Sequence, residues 1–222
     1  MKTTLLALSF NEIEGIKTIL PKIPKDIIDE ILIVDGGSTD GTIEWAIDNG
    51  YKVLVQKKPG LGSAYIEGLA EATGELIITF SPDGNSLPEV LPDLIKKIEK
   101  GYDIVTVSRY LDSAKSLDDD LITAFGNWLF TKSYNILFKQ NVTDYLVMYR
   151  AFKASIIDQL NVEHSSISWQ SQLMCKAAKA GLKISEIPGD EPPRIGGERK
   201  MNPIRNGIAE LKMLIKEFIS KN

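Results

Sequence analysis

Two short acidic segments carry the residues best suited to chemistry. Asp35 closes the apolar run 30–34 and opens Asp35-Gly36-Gly37-Ser38-Thr39-Asp40-Gly41-Thr42. A carboxylate there can accept hydrogen bonds from a ligand that a glycine backbone allows to come close. Asp83 and Asn85 stand two apart in Ser81-Pro82-Asp83-Gly84-Asn85-Ser86. A carboxylate and an amide carbonyl are hard oxygen donors that suit Mg²⁺ or Mn²⁺. Turn chemistry also accounts for both segments: Asp-Gly and Asn-Ser are common turn pairs, and Asp40 or Thr42 would cap a following helix. Gly60-Leu61-Gly62 could admit a phosphate to the backbone before a helix, or simply form a tight loop. Arg194, Arg199 and Lys200 could clamp a diphosphate, or form a solvated basic loop. The single histidine, His164, and the single cysteine, Cys175, read as structural or exposed.

These segments need elements to hold them. Apolar runs at 4–8, 30–34, 51–55, 75–80 and 103–107 read as strands. Helical patterns at 12–20, 42–49, 63–72 and 88–100 fall between them. Such alternation means βαβ units and a parallel sheet, here with both faces covered by helices. In an open parallel sheet, ligands bind beyond the carboxyl ends of the strands. Four polar loops lie there: Ser9-Phe10-Asn11-Glu12, the Asp35 loop, the Asp83 loop, and Ser108-Arg109-Tyr110. The second half reads as a long apolar helix over 118–138, a strand at 145–149, a helix at 167–180 and a strand at 182–187. A loop rich in proline and glycine follows, then an amphipathic helix over 204–219 with Ile204, Ile208, Leu211, Ile215 and Phe218 on one face. The long helix and the tail helix either lie in a bilayer interface or pack on the sheet.

Composition narrows the function classes. With 26 Lys and Arg against 30 Asp and Glu, the net charge is -4. That argues against nucleic-acid binding by phosphate neutralisation. One cysteine permits no internal disulfide, which fits a reducing compartment, and one histidine makes zinc sites and Ser-His-Asp triads poor candidates. No segment approaches the roughly 20 apolar residues of a membrane span, and the first residues lack a signal-peptide cleavage pattern. The chain therefore reads as cytoplasmic, with any membrane attachment peripheral and at the cytoplasmic face.

The motifs, in order, are similar to those of a known family. VDGGSTDGT, GLGSAYIEGLAEATGE, FSPDGNSLPE, DIVTVSRY, VTDYLVMYRAF, and GLKISEIP followed by PRIGGERK resemble the inverting family 2 glycosyltransferases of GT-A fold. Within that family the chain resembles the dolichol-phosphate mannose synthases and polyprenyl-phosphate glycosyltransferases, over about residues 4–200. The resemblance implies one GT-A domain over 1–222: a nucleotide-sugar half (1–110), an acceptor half (111–200) and a C-terminal amphipathic helix (201–222). It implies that Leu8, Phe10, Glu12 and Asp35 meet the nucleotide base and that Gly60 lies at the donor. Asp83 and Asn85 would hold the metal, while Arg194, Arg199 and Lys200 would close over the diphosphate. Arg109 would lie near an acceptor phosphate and Asp144 on the acceptor side, as a base if the acceptor is a hydroxyl. Departures are Gly36 for a second Asp, Ser81 for the first Asp of DxD, Asp118-Asp119-Asp120 ahead of the acceptor-side helix, and Val147-Met148 for Ser-Gly. The expected reaction is hexosyl transfer from a nucleotide-diphosphate sugar to a polyprenyl phosphate. Transfer to a glycan or small hydroxyl, and a nucleotide-binding protein or nucleotidyltransferase of the same fold, remain the alternatives.

Overall fold

The computed structural model describes residues 1–162, 166–196 and 202–220. Seven strands among them form one sheet: β1 (Thr3–Ser9), β2 (Glu30–Asp35), β3 (Lys52–Val55), β4 (Leu76–Phe80), β5 (Ile104–Ser108), β6 (Arg150–Lys153) and β7 (Ile184–Pro188). Their order is β3-β2-β1-β4-β6-β5-β7. All run parallel except β6, which pairs antiparallel with both β4 and β5. The mostly parallel α/β sheet expected from the alternation is therefore present. The order 3-2-1-4 places a topological switch point between β1 and β4, where ligands bind in open α/β sheets. The loops after these two strands carry Glu12 and Asp83.

Alternation along the strands builds two cores. Leu5 and Ala7 of β1 point into a core shared with Ile16, Leu20, Leu91 and Leu94. Leu6 points to the other face, with Tyr65, Tyr134, Phe152 and Trp169. Helices α1 (Ile13–Ile19), α2 (Thr42–Asp48) and α4 (Leu91–Glu99) cover the first face. Helices α3 (Leu61–Glu71), α5 (Leu121–Phe138), α6 (Ser155–Leu160), α7 (Trp169–Lys179) and α8 (Pro203–Ile219) belong to the second. The divided halves of the chain interleave, because β6 lies between β4 and β5 and β7 pairs with β5.

The structure corrects one expectation and adds to two others. Residues 145–149 form no strand; the strand begins at Arg150. Tyr145 is held by side-chain bonds, its N–H donating to Thr131 Oγ1 at 3.1 Å, and Arg150, fully buried, donates to Gln170 Oε1 at 2.8 Å. A charged residue in a central strand hides it from a search for apolar runs. Helix α6 was not expected. Of the two alternatives left open for α8, the stripe does not pack on the sheet: Ile204, Ile208, Leu211, Ile215 and Phe218 are exposed, while Met213, Leu214, Glu210 and Glu217 are buried. No helix among the described residues is long and apolar enough to cross a membrane.

Candidate active site

The loops beyond β1 and β2 are tied into one unit. Asp35 is fully buried. Its Oδ1 accepts the N–H groups of Gly37 and Ser38, at 2.9 and 2.6 Å. Its Oδ2 accepts the hydroxyls of Ser9 and Ser38, both at 2.7 Å. Four bonds fill a carboxylate's acceptor capacity. Asp35 thus organises this loop, and direct contact with a ligand would require one of these bonds to yield. Phe10 is exposed, and its ring lies over Gly36, where an added Cβ would stand 3.1 Å from the ring. Leu8 is half-buried and packs on the core beneath. Asp40 accepts from Ile13 N–H at 3.1 Å and from the Thr42 hydroxyl at 2.6 Å, and its carboxyl is held below the ordinary range: burial opposes the shift, and these bonds outweigh it.

Beyond β1 and β4 a guanidinium joins two carboxylates. Arg194 donates through Nη1 to Asp83 Oδ2 and through Nη2 to Glu12 Oε1, both at 2.7 Å. Close packing makes this approach possible. On Gly15 of α1 an added Cβ would stand 2.5 Å from the Pro82 carbonyl oxygen, so only glycine lets α1 press its start, with Glu12, against the Asp83 loop. Gly84, at φ +99°, turns that loop under Ile195, which an added Cβ would meet at 2.7 Å. The Ile195 N–H donates to the Asp83 carbonyl at 2.7 Å. Asn85 donates its N–H to Asp83 Oδ1 at 3.0 Å and its amide to the Pro192 carbonyl at 3.4 Å. Gly60 precedes the first residue of α3, after β3; among the described residues no hydrogen bond joins it to this cluster. Arg199 and Lys200, like His164, lie outside the described residues.

Beyond β5 lies a second, more deeply buried network. Arg109 donates Nε and Nη2 to the two oxygens of Asp144, at 2.7 and 3.0 Å. Its Nη1 donates to Glu191 Oε2 at 3.2 Å and stands 3.8 Å from Asp119. Burial would lower the Arg109 pKa, but the charges of Asp144 and Glu191 raise it well above its ordinary value. Burial pushes Glu191 up, against the pull of Arg109. Asp144 is fully buried with both oxygens on Arg109, so acting as a base for a hydroxyl acceptor would require this pair to open. Glu186 accepts the N–H groups of Thr143 and Asp144, at 2.6 and 3.0 Å, and so holds the backbone at Asp144.

Sequence reasoning missed Glu191, Glu186 and Asp119. Their one signal was proximity in sequence to residues already singled out: Glu191 precedes Arg194 by three, and Asp119 lies in the Asp118-Asp119-Asp120 run. The segment 189–196 joins the two networks, with Glu191 on Arg109 and Arg194 on Asp83.

The donor set fits a divalent cation in a limited way. Among the described residues no group of three His, Cys, Asp or Glu side chains stands ready to hold a metal. Asp83 and Asn85 offer one carboxylate and one amide. Mg²⁺ is commonly held by one or two carboxylates together with substrate phosphates and water, so these oxygens suffice once a diphosphate supplies the rest.

Comparison with known proteins agrees with this arrangement. The chain is 27% identical over 205 residues to glycosyltransferase AglJ of Haloferax volcanii, covering 91% of this chain and 67% of that protein. It is 29% identical over 216 residues to the undecaprenyl-phosphate mannosyltransferase of Micrococcus luteus, covering 91% and 88%. Among solved structures it is similar to glucosyl-3-phosphoglycerate synthase of Mycobacterium tuberculosis in complex with Mn²⁺, UDP and phosphoglyceric acid. That match has a TM-score of 0.75 and 20% identity, and covers 100% of this chain and 80% of that one. The model of glycosyl transferase family 2 matches residues 9–160. With two carboxylate-bearing loops at the switch point and that match over more than half its length, the chain belongs to glycosyl transferase family 2.

Proposed function

We propose that this glycosyltransferase moves a hexose, with inversion, from a nucleotide-diphosphate sugar to a polyprenyl phosphate at the cytoplasmic face of a membrane. The observation that carries the acceptor is the state of Asp144. It is buried and bidentate on Arg109, so the acceptor side offers no free carboxylate there to deprotonate a hydroxyl. A phosphate acceptor needs no such base, because its second pKa is about 6 and it arrives ionised. The undecaprenyl-phosphate mannosyltransferase among the relatives supports the same class.

Each cluster has a part in this mechanism. The Asp35-organised loop and Phe10 shape the wall for the nucleotide. Arg194 can trade its two carboxylates for the donor diphosphate, which guanidinium binds through paired N–H groups. A Mg²⁺ or Mn²⁺ ion on Asp83 and Asn85 would neutralise charge developing on the leaving diphosphate. Arg109, held rigid by Asp144 and Glu191, positions the nucleophilic phosphate. Excluding water from this crevice strengthens each of these interactions.

A second reading has one observation in its favour. Glu191 is the acceptor-side carboxylate whose pKa rises by burial while it touches Arg109, and raised carboxylates serve as bases for hydroxyl acceptors. The phosphoglyceric acid bound in the neighbouring solved structure is an acceptor of that broader class. The deciding experiment incubates the protein and Mn²⁺ with radiolabelled UDP- or GDP-hexose and undecaprenyl phosphate. Label entering the organic phase supports the polyprenyl acceptor. Label staying in water on a hydroxyl acceptor supports the second reading.

A further inference from the structure

Helices α5 and α8 turn a broad apolar stripe outward. α5 buries Thr123, Asn127 and Thr131 along with Tyr134 and Phe138, and exposes Leu121, Ile122, Phe125, Trp128, Leu129 and Ile136. α8 buries Glu210 and Glu217 along with Met213 and Leu214, and exposes Ile204, Ile208, Leu211, Ile215, Phe218 and Ile219. Gln172 of α7 donates to Glu217 at 2.8 Å, which fixes this orientation. The helices lie side by side: an added Cβ on Gly207 would stand 3.8 Å from the Phe130 ring, and Phe138 meets Phe218 edge-on at 6.2 Å. Their exposed apolar residues therefore adjoin. Apolar patches of this kind mark interaction surfaces.

Charge identifies the partner. The exposed charged residues of the two helices are Lys132, Arg205, Lys212 and Lys216, all cationic, on a chain whose net charge is -4. At the amino end of α5, Asp120 is held as its cap at 2.8 Å from the Thr123 nitrogen, and Asp119 accepts from Asn127 at 3.0 Å. A second copy related by twofold symmetry would set the same cations against each other. An anionic bilayer takes both features at once: isoleucine and tryptophan enter the acyl boundary, and lysines meet the headgroups. At the far end of the face, a cleft of about 220 Å³ is lined by Leu137, Phe138, Lys139, Ala178, Lys179 and Phe218.

We propose that the α5–α8 face seats the protein on the surface of an anionic phospholipid bilayer. The orientation this gives the site rests on the polyprenyl-phosphate reading. Asn127 of α5 donates to the Tyr110 hydroxyl at 2.9 Å, and Tyr110 follows Arg109. A phosphate carried in the bilayer thus reaches Arg109 alongside α5.

The test floats the full chain with vesicles of phosphatidylcholine alone and with about one-third phosphatidylglycerol. Expected is binding to the anionic vesicles, with a blue shift of emission that disappears in Trp128→Phe. Lys212→Gln with Lys216→Gln lowers the affinity about 25-fold, about fivefold for each cation, with melting and UDP binding unchanged. Equal binding to both vesicles, no binding to either, or a concentration-dependent dimer that shields Trp128 overturns the proposal. Transfer to a short, water-soluble polyprenyl phosphate without vesicles is measured in parallel. If transfer proceeds and vesicles are ignored, the surface proposal fails alone; if vesicles bind and no lipid phosphate is glycosylated, the acceptor reading fails alone.

Discussion

The two arginine clusters at the carboxyl end of the sheet look alike and are built for different ends. Beyond β5, the Arg109 side chain is 10% exposed, Asp144 is fully buried, and both carboxylate oxygens are matched by the guanidinium. At the switch point, the Arg194 side chain is 21% exposed and spans two carboxylates from separate loops. A buried bidentate pair cannot lose a partner cheaply, because the charge left behind stays desolvated. A partly exposed arginine shared between two acids can exchange one anion for another. The Arg109 pair is a fixed post, and the Arg194 bridge is a latch.

The largest effect that would test this difference is catalytic. Asp83→Ala is expected to lower transfer by about 10²–10³-fold, the range for losing one preorganised charge-stabilising group, and to abolish the Mn²⁺-dependent rise in melting temperature with the donor nucleotide. Without ligand it should melt close to the parent. Asp144→Asn should lower stability as well as transfer. It costs about 3 kcal/mol of stability, a fall of about 6–12 °C in a chain this size. An Asp144→Asn protein as stable as the parent would end the distinction between post and latch. Next in size is Arg194→Ala, which predicts two opposite signs: nucleotide diphosphate affinity falls about tenfold, while Mn²⁺ alone binds more tightly, because the competing guanidinium is gone. Calorimetry with each ligand reads both.

The smallest effect is on the pH dependence of unfolding. Burial raises Glu186 and Glu191 above the ordinary carboxylate range. In the window between the ordinary range and the raised values the folded state holds more protons than the unfolded. Stability contributed by these groups is therefore complete at low pH and declines as pH rises through that window. Glu186→Gln should flatten part of this decline in urea titrations. An unchanged slope would place the titration elsewhere.

The parallel half of the sheet was legible because its strands are apolar on both faces and are separated by helices of ordinary length. The loops holding Glu12, Asp35, Asp83 and Arg109 followed from those strand ends. What sequence hid were pairings across long separations. Nothing local marks Glu191 as the partner of Arg109, 82 residues away, or sets Arg194 between Glu12 and Asp83. The three bonds to Asp35 from Gly37 and Ser38 are local, but the fourth, from Ser9 26 positions earlier, has no mark in the sequence. β6 escaped because Arg150 is buried on neutral partners. For α8, periodicity gives the stripe but not its direction, because the neighbouring helix decides which side is covered.

The segment that carries Glu191 and Arg194 has a kinetic consequence. Two residues stand between Glu191, on the post, and Arg194, on the latch. If a donor drew Arg194 away from Asp83 and shifted this short segment, Glu191 would move against Arg109 with it. Occupancy of one site would then change the affinity of the other, by the same factor in both directions. Initial-rate patterns would intersect as for a ternary complex, with each substrate's apparent constant depending on the concentration of its partner.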